Sequence, residues 1–218
     1  MSSTALFHTN AESARQRSGP LQVDTSLGTV SLWITGDLQS LEAVWGELQA
    51  SALTGAQTFD WAQAWVRHVL QPEGREPVIV VGSAADGRTL LLWPFEMVKG
   101  AGMRTLHWLG QEHANYTMGL FAPDAAATFT AADISHLLRE LARATGAVAA
   151  ILRGQPFIWD GIPKPFAKLP RQPAPSSGYA VRLGDLTALY EHRFSKRSLH
   201  TLDRKERKLV GMGSLIYG

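Results

Sequence analysis

Between Trp108 and Tyr116 the chain gathers Gln111, Glu112, His113, Asn115 and Tyr116 into one short stretch. Their side chains supply hydrogen-bond donors and acceptors, and His113 brings one group that titrates near neutrality. The stretch follows a predicted strand, the usual place for ligand-binding loops in folds that mix helices and strands. Three of the seven tryptophans, Trp61, Trp65 and Trp108, fall near element ends or polar loops and could wall a substrate cleft. Trp33, Trp45 and Trp93 fall on apolar faces and read as core. A plainer reading stands beside the first: a solvated loop that Trp108 and Tyr116 anchor to the core.

Several chemistries are excluded. With no cysteine there is no disulfide scaffold, thiolate metal site, iron–sulfur cluster or thiol nucleophile. The seven histidines, His8, His68, His107, His113, His136, His192 and His200, form no H-x-x-x-H pair and no carboxylate-rich cluster, so no metal is expected. The G-x-S-x-G, G-x-x-x-x-G-K-[ST] and G-x-G-x-x-G patterns are absent, which removes a serine-hydrolase elbow and two kinds of phosphate-binding loop.

Charge concentrates at the C-terminal end. From Arg193 to Lys208 seven cationic side chains face two carboxylates, Asp203 and Glu206, although the whole chain carries only +2. A one-sided basic helix suits phosphates, acidic lipid or nucleic acid, or it grips an acidic partner. Without interleaved aromatics, nucleic acid is the weakest of these. Leu199, Leu202, Leu209 and Val210 add an apolar stripe that implies one buried face.

The elements that must position these residues follow from periodicity. The chain has 218 residues, 45% hydrophobic and 18% charged, with a mean hydropathy of -0.07, the make-up of a soluble globular protein. Met1 to Pro20 has no apolar signal-peptide core, and no apolar run approaches the ~20 residues of a membrane span. A cytoplasmic protein is therefore expected. Residues 1–26 read as a flexible leader, and structure is expected to begin near Thr29. Trp45 and Leu48 mark a first helix and Trp61, Trp65 and Val69 a second. Three strands follow: one from Pro77, a second after the Asp86-Gly87 turn, and a third from Met103 to Leu109. Pro94 implies an edge or a bulge. Thr130 and Asp133 form a capping box for a helix that ends at Gly146. Ala147–Leu152 reads as a strand, and Gly154–Gly178 as a Pro-rich loop. A short strand at Tyr179–Leu183, a helix capped by Asp185 and a basic helix over Ser195–Val210 complete the chain. The fold class is α/β (α+β), a mixed sheet with helices on it.

Taken in order, several of these pieces resemble one family. They are Trp45-x-x-Leu48; Gln57-Thr58-Phe59-x-Trp61-x-x-x-Trp65; Pro77 with its Val-rich strand; Asp86-Gly87; and Leu91-Leu92-Trp93-Pro94-Phe95. Arg104-x-Leu106-x-Trp108-Leu109-Gly110 with Tyr116 follows, then the basic run Lys196–Lys208 and Gly211. The chain is similar over about residues 30–213 to the tandem GNAT-type N-acyltransferases linked to cellulose and exopolysaccharide biosynthesis, distant relatives of Fem-type peptidyltransferases. The resemblance implies a mostly antiparallel GNAT-like sheet and a metal-free reaction in which a neutral amine attacks an acyl-CoA thioester, acetyl-CoA foremost.

It also exposes departures. The family's [Q/R]-x-x-G-x-[G/A] loop, whose amides hold pyrophosphate at a helix N-terminus, is missing from the junction Gly110–Thr130. Asn115 stands where relatives commonly carry an acid. The implied protein is thus the N-terminal half: a degenerate domain over 27–192, then a basic connector over 193–218 that leads into an acyl-CoA-binding half, whose first strand would be Gly213–Tyr217. Trp61, Trp65, Trp108, Gln111, His113, Asn115 and Tyr116 would line the cleft for an amine-bearing small molecule, sugar or peptide. No residue is assigned to catalysis or to the cofactor, and the chain alone would be inactive. The alternative is a non-enzymatic sugar- or peptide-binding module.

Overall fold

Alternation of Leu21, Val23 and Thr25 with polar neighbours makes a half-buried strand, and Ser26-Leu27 turns it back on itself. The computed structural model describes residues 2–6 (backbone only), 19–49, 54–159, 162–174 and 192–213. In it β1 (Ser2–Leu6) and β2 (Leu21–Thr25) belong to the sheet, where the sequence led one to expect only a flexible leader over 1–26; residues 7–18 of that leader lie outside the described residues. The period-two pattern of β2 had been masked by its polar positions, Gln22 and Asp24.

The order continues with β3 (Gly28–Thr35), α1 (Glu42–Gln49), α2 (Phe59–Trp65) with a π-turn over Val66–Leu70, β4 (Glu76–Ser83), β5 (Thr89–Gly100) and β6 (Met103–Trp108). Then come β7 (Leu120–Phe121), α3 (Pro123–Thr128), α4 (Ala131–Thr145) and β8 (Ala149–Arg153). A small hairpin of β9 (Ile158–Trp159) and β10 (Ile162–Pro163) leads to a 3-10 turn, Pro165–Lys168. The main sheet runs β1-β8-β6-β5-β4-β3-β2, with β7 also beside β5. Among the described residues every pairing in it is antiparallel except β6 with β8. This is the mixed, mostly antiparallel sheet with flanking helices that the sequence implied.

Turn chemistry matches the sequence. Ala101 and Gly102 both take positive φ in the β5–β6 hairpin, and Gly87 does so between β4 and β5. Thr130 and Asp133 form the expected capping box, and Gly146 closes α4 in the left-handed region.

Pro94 is neither at an edge nor at a bulge, since β5 is central and the register shift lies at Gly82/Ser83. On one side of β5, β7 pairs with Leu91 and Leu92, whereas β6 pairs from Phe95 onward. Pro94 sits where the partner changes, so its missing N–H interrupts no ladder, while its carbonyl accepts from Leu109 N–H at 2.9 Å.

Paired residues share a face. Leu32, Val80, Leu91, Trp93, Phe95, Trp108 and Phe121 lie on one, closed by Phe166 of the 3-10 turn and by α4. The supposedly irregular Pro-rich stretch therefore contributes a core residue. The other face carries Val81, Leu92, Glu96 and His107 and is covered by α1 and α2. Trp33 is 53% exposed, contrary to expectation, because it alternates out of phase with the buried Val30 and Leu32.

The chain divides into two compact units, Met1–Pro175 and Ser176–Gly218. In the second, α5 (Lys196–Val210) starts at Ser195, whose hydroxyl accepts from Ser198 N–H at 3.2 Å. It buries none of its residues, and Leu202, Leu209 and Val210 stand exposed rather than covered. The expected strand Tyr179–Leu183, the helix capped by Asp185 and the strand Gly213–Tyr217 lie outside the described residues, apart from Gly213. Among the described residues no helix is long and apolar enough to cross a membrane.

Candidate functional site

Helix α2 begins where Thr58 accepts from Trp61 N–H at 3.4 Å, and it buries Phe59 and Ala62. Trp61 and Trp65, one turn apart, stack with centroids 5.5 Å apart and planes 4° from parallel. His113 lies 5.1 Å from Trp65, tilted by 43°. Gly110 has φ +65, and a Cβ there would come 2.1 Å from Trp61, so only glycine lets the indole press on this turn. Thus Trp61, Trp65 and His113 do come together.

Beneath them lies Glu96, 1% exposed. Its carboxylate pairs with Arg75 and accepts from Trp65 Nε1 at 3.3 Å and Gly110 N–H at 3.4 Å. Burial raises its pKa, and Arg75, Trp65 and Gly110 oppose that shift. One carboxylate therefore ties α2, the turn after β6 and the segment after the π-turn together.

Glu96 is directly opposite His107. Burial, followed by the charge of Arg153, lowers the pKa of His107. Gln111 reaches over it: its Oε1 accepts from Arg153 N–H at 3.1 Å and its Nε2 lies 2.7 Å from His107 Nδ1. His107 Nε2 is 3.0 Å from Thr105 Oγ1. The parallel ladder ends at His107–Ile151, so Gln111 bridges the two strands where their pairing stops. Thr105, His107 and Ile151 are only half-buried, and Arg153, Glu112 and His113 are exposed. Apart from Ile151 they form a polar strip beside α2, running from the sheet onto the turn after β6.

The other predicted site residues are elsewhere. Trp108 is not a cleft wall: it is 1% exposed, stacks on Phe95 at 4.5 Å and lies on the opposite face, because it is one residue out of phase with His107. Tyr116 packs on Trp159 at 4.7 Å, and its carbonyl accepts from Gln57 Nε2 at 3.3 Å. Asn115 is exposed, and its carbonyl lies against Gly154. Sequence reasoning missed Glu96, His107, Arg75 and Arg153. The available signal was a lone carboxylate in the apolar run Leu90–Met97, and a histidine at its mirror position in the next strand.

The N-terminus of α4, where the family resemblance would put pyrophosphate, carries a carboxylate of its own. Asp133 accepts from Thr130 N–H at 2.8 Å, Ser26 N–H at 2.9 Å and the Ser26 hydroxyl at 2.6 Å. Burial would raise this carboxyl, but the bonds from Ser26 and Thr130 outweigh it and hold its pKa at about 2. A fixed negative charge therefore occupies the helix end. Among the described residues no group of three or more His, Asp or Glu could hold a metal ion. Comparison of the chain with protein-family models, with curated proteins and with solved structures found no match.

Proposed function

We propose that this chain is the acceptor-side half of a GNAT-type N-acyltransferase, working in the cytoplasm beside a second, acyl-CoA-binding half. The observation that carries this reading is the self-capped N-terminus of α4: an ionised Asp133 repels a pyrophosphate where a cofactor-binding half would offer bare amides. The element order also supports it. Leaving aside the short β7 and α3, strand β3, two helices, three antiparallel strands, α4 and a parallel β8 run strand, two helices, antiparallel strands, helix, strand, as a GNAT-type domain does.

The polar strip beside α2 then takes the amine-bearing small molecule, sugar or peptide. Glu112 offers a carboxylate to an ammonium, and Trp65 with His113 an aromatic edge to a ring. The whole reaction forms a C–N bond as the thioester C–S bond breaks, and the amine proton passes to solvent or a base.

With no cysteine, the chain adds no background to a thiol-release assay. The expected result is no amine-dependent release of CoA thiol by this chain alone, and release once a CoA-binding half is supplied. Turnover by this chain alone, or none with both halves, would overturn the reading. The parallel Trp61–Trp65 pair favours a second reading, a non-enzymatic sugar- or peptide-binding module. That reading predicts saturable quenching of tryptophan fluorescence by an oligosaccharide or peptide, with no acyl transfer under any condition.

A further inference from the structure

We infer that Gln111 and His107 form a proton-sensitive clasp across the mouth of the parallel pair β6–β8, closed only while His107 is neutral. The argument is one of hydrogen-bond roles. The Arg153 backbone N–H can only donate, so the Gln111 atom 3.1 Å from it must be the carbonyl oxygen. That orientation turns the amide nitrogen, a donor without a usable lone pair, toward His107 Nδ1 at 2.7 Å. Nδ1 must therefore be the acceptor, and the ring proton sits on Nε2. From there it reaches Thr105 Oγ1 at 3.0 Å, and the hydroxyl is left to donate to Val98 O at 3.5 Å.

Protonation of His107 places a second donor on Nδ1, facing the Gln111 amide. Turning the amide over satisfies His107 but sets NH2 against the Arg153 N–H. No orientation serves both, so the clasp opens. The neighbouring charges set the balance. Arg153 on β8 and Arg75 behind α2 disfavour the imidazolium, whereas Glu112 beside Gln111 favours it; Glu96, opposite on β5, is itself paired with Arg75. His113, the remaining titratable group on this turn, faces Trp65. Opening frees the Arg153 amide and the Gln111 side chain, while Glu96 still holds the turn at Gly110, so the end of the polar strip changes its hydrogen-bonding surface with proton concentration. That last consequence rests on the acceptor-site reading, whereas the clasp itself rests on geometry alone.

The test is nuclear magnetic resonance on the labelled full chain. On the alkaline side of its titration, His107 should show an unprotonated Nδ1 and a protonated Nε2. As His107 titrates, the Arg153 amide should lose about tenfold or more of its exchange protection with the same midpoint. Gln111→Glu, which accepts from both partners, should raise the His107 midpoint and keep Arg153 protected on the acidic side. Gln111→Met, which cannot bridge, should leave Arg153 unprotected throughout. A proton on Nδ1 in the alkaline form, Arg153 protection indifferent to the titration, or an unmoved midpoint in Gln111→Glu would each overturn the clasp. None of these readouts involves acyl transfer, so a failure of the functional reading would leave them unchanged.

Discussion

On the α4 side of the sheet, Trp93, Phe95, Trp108, Phe121 and Phe166 meet ring to ring. On the α2 side, Glu96, His107, Gln111 and Arg75 meet through hydrogen bonds and charge. The first face is held by dispersion and by area removed from water, which offset the cost of two buried indole N–H groups, those of Trp93 and Trp108, that find no partner among the described residues. The second holds a charge that would be prohibitive to bury alone, and pairs it with three donors on separate elements. Apolar packing is non-directional, so its loss is spread over many neighbours, whereas the polar face has directional links whose loss moves particular elements. A site that must recognise a ligand belongs on the second kind of face.

Substitutions can break this contrast, from the largest expected effect to the smallest. Phe95→Ala, which opens the aromatic stack, should cost about 3–5 kcal/mol in chemical denaturation and lower stability globally. Glu96→Ala should cost less, about 2–3 kcal/mol, because Arg75 is partly exposed and can turn to water. Its signature should be local, with faster amide exchange at Gly110 and altered fluorescence of Trp61 and Trp65. Equal and global losses in the two variants would erase the distinction between the faces. Gly110→Ala should cost about 1–2 kcal/mol, since a side chain at φ +65 is strained and Trp61 must move.

Asp133→Ala should cost about 1–2 kcal/mol through loss of the cap. The pKa of Asp133 is depressed from 3.8 to about 2. Its contribution is therefore complete above 3.8 and fades as the pH falls toward 2, a loss that the variant should not show in acid denaturation.

The smallest effect is the opposition of a half-buried His107 and a buried Glu96. His107 is depressed from 6.5, so the folded state binds fewer protons and stability falls as the pH drops below 6.5. Glu96 is raised from 4.5, so its contribution falls as the pH rises through the folded value. Glu96→Gln should therefore make stability rise more steeply with pH where the carboxyl titrates, as read from chemical denaturation at a series of pH values. An unchanged slope would show that the carboxylate does not titrate there.

Local rules carried most of the fold. The capping box at Thr130 and Asp133, the Asp86-Gly87 turn and the apolar phase of α4 each depend on neighbours in sequence, and each stands where the residues indicated. Strand β2 was lost in polar surroundings, because its partner β3, rather than its own composition, completes it. For the site, Trp61, Trp65 and His113 were legible as polar-edged aromatics. Trp108 was misplaced by one position of strand phase, which moves a side chain to the opposite face. Glu96 and His107 were hidden for the opposite reason. Each looks like a stray polar residue in a strand, and only the register between β5 and β6 makes them a pair.

The claim that this fold presents an acceptor surface but no seat for a pyrophosphate is most directly tested by titrating acetyl-CoA into the chain in a calorimeter. The account predicts no heat beyond dilution up to about millimolar ligand. Saturable binding at micromolar concentration, perturbing the amides of Thr130–Asp133, would contradict it.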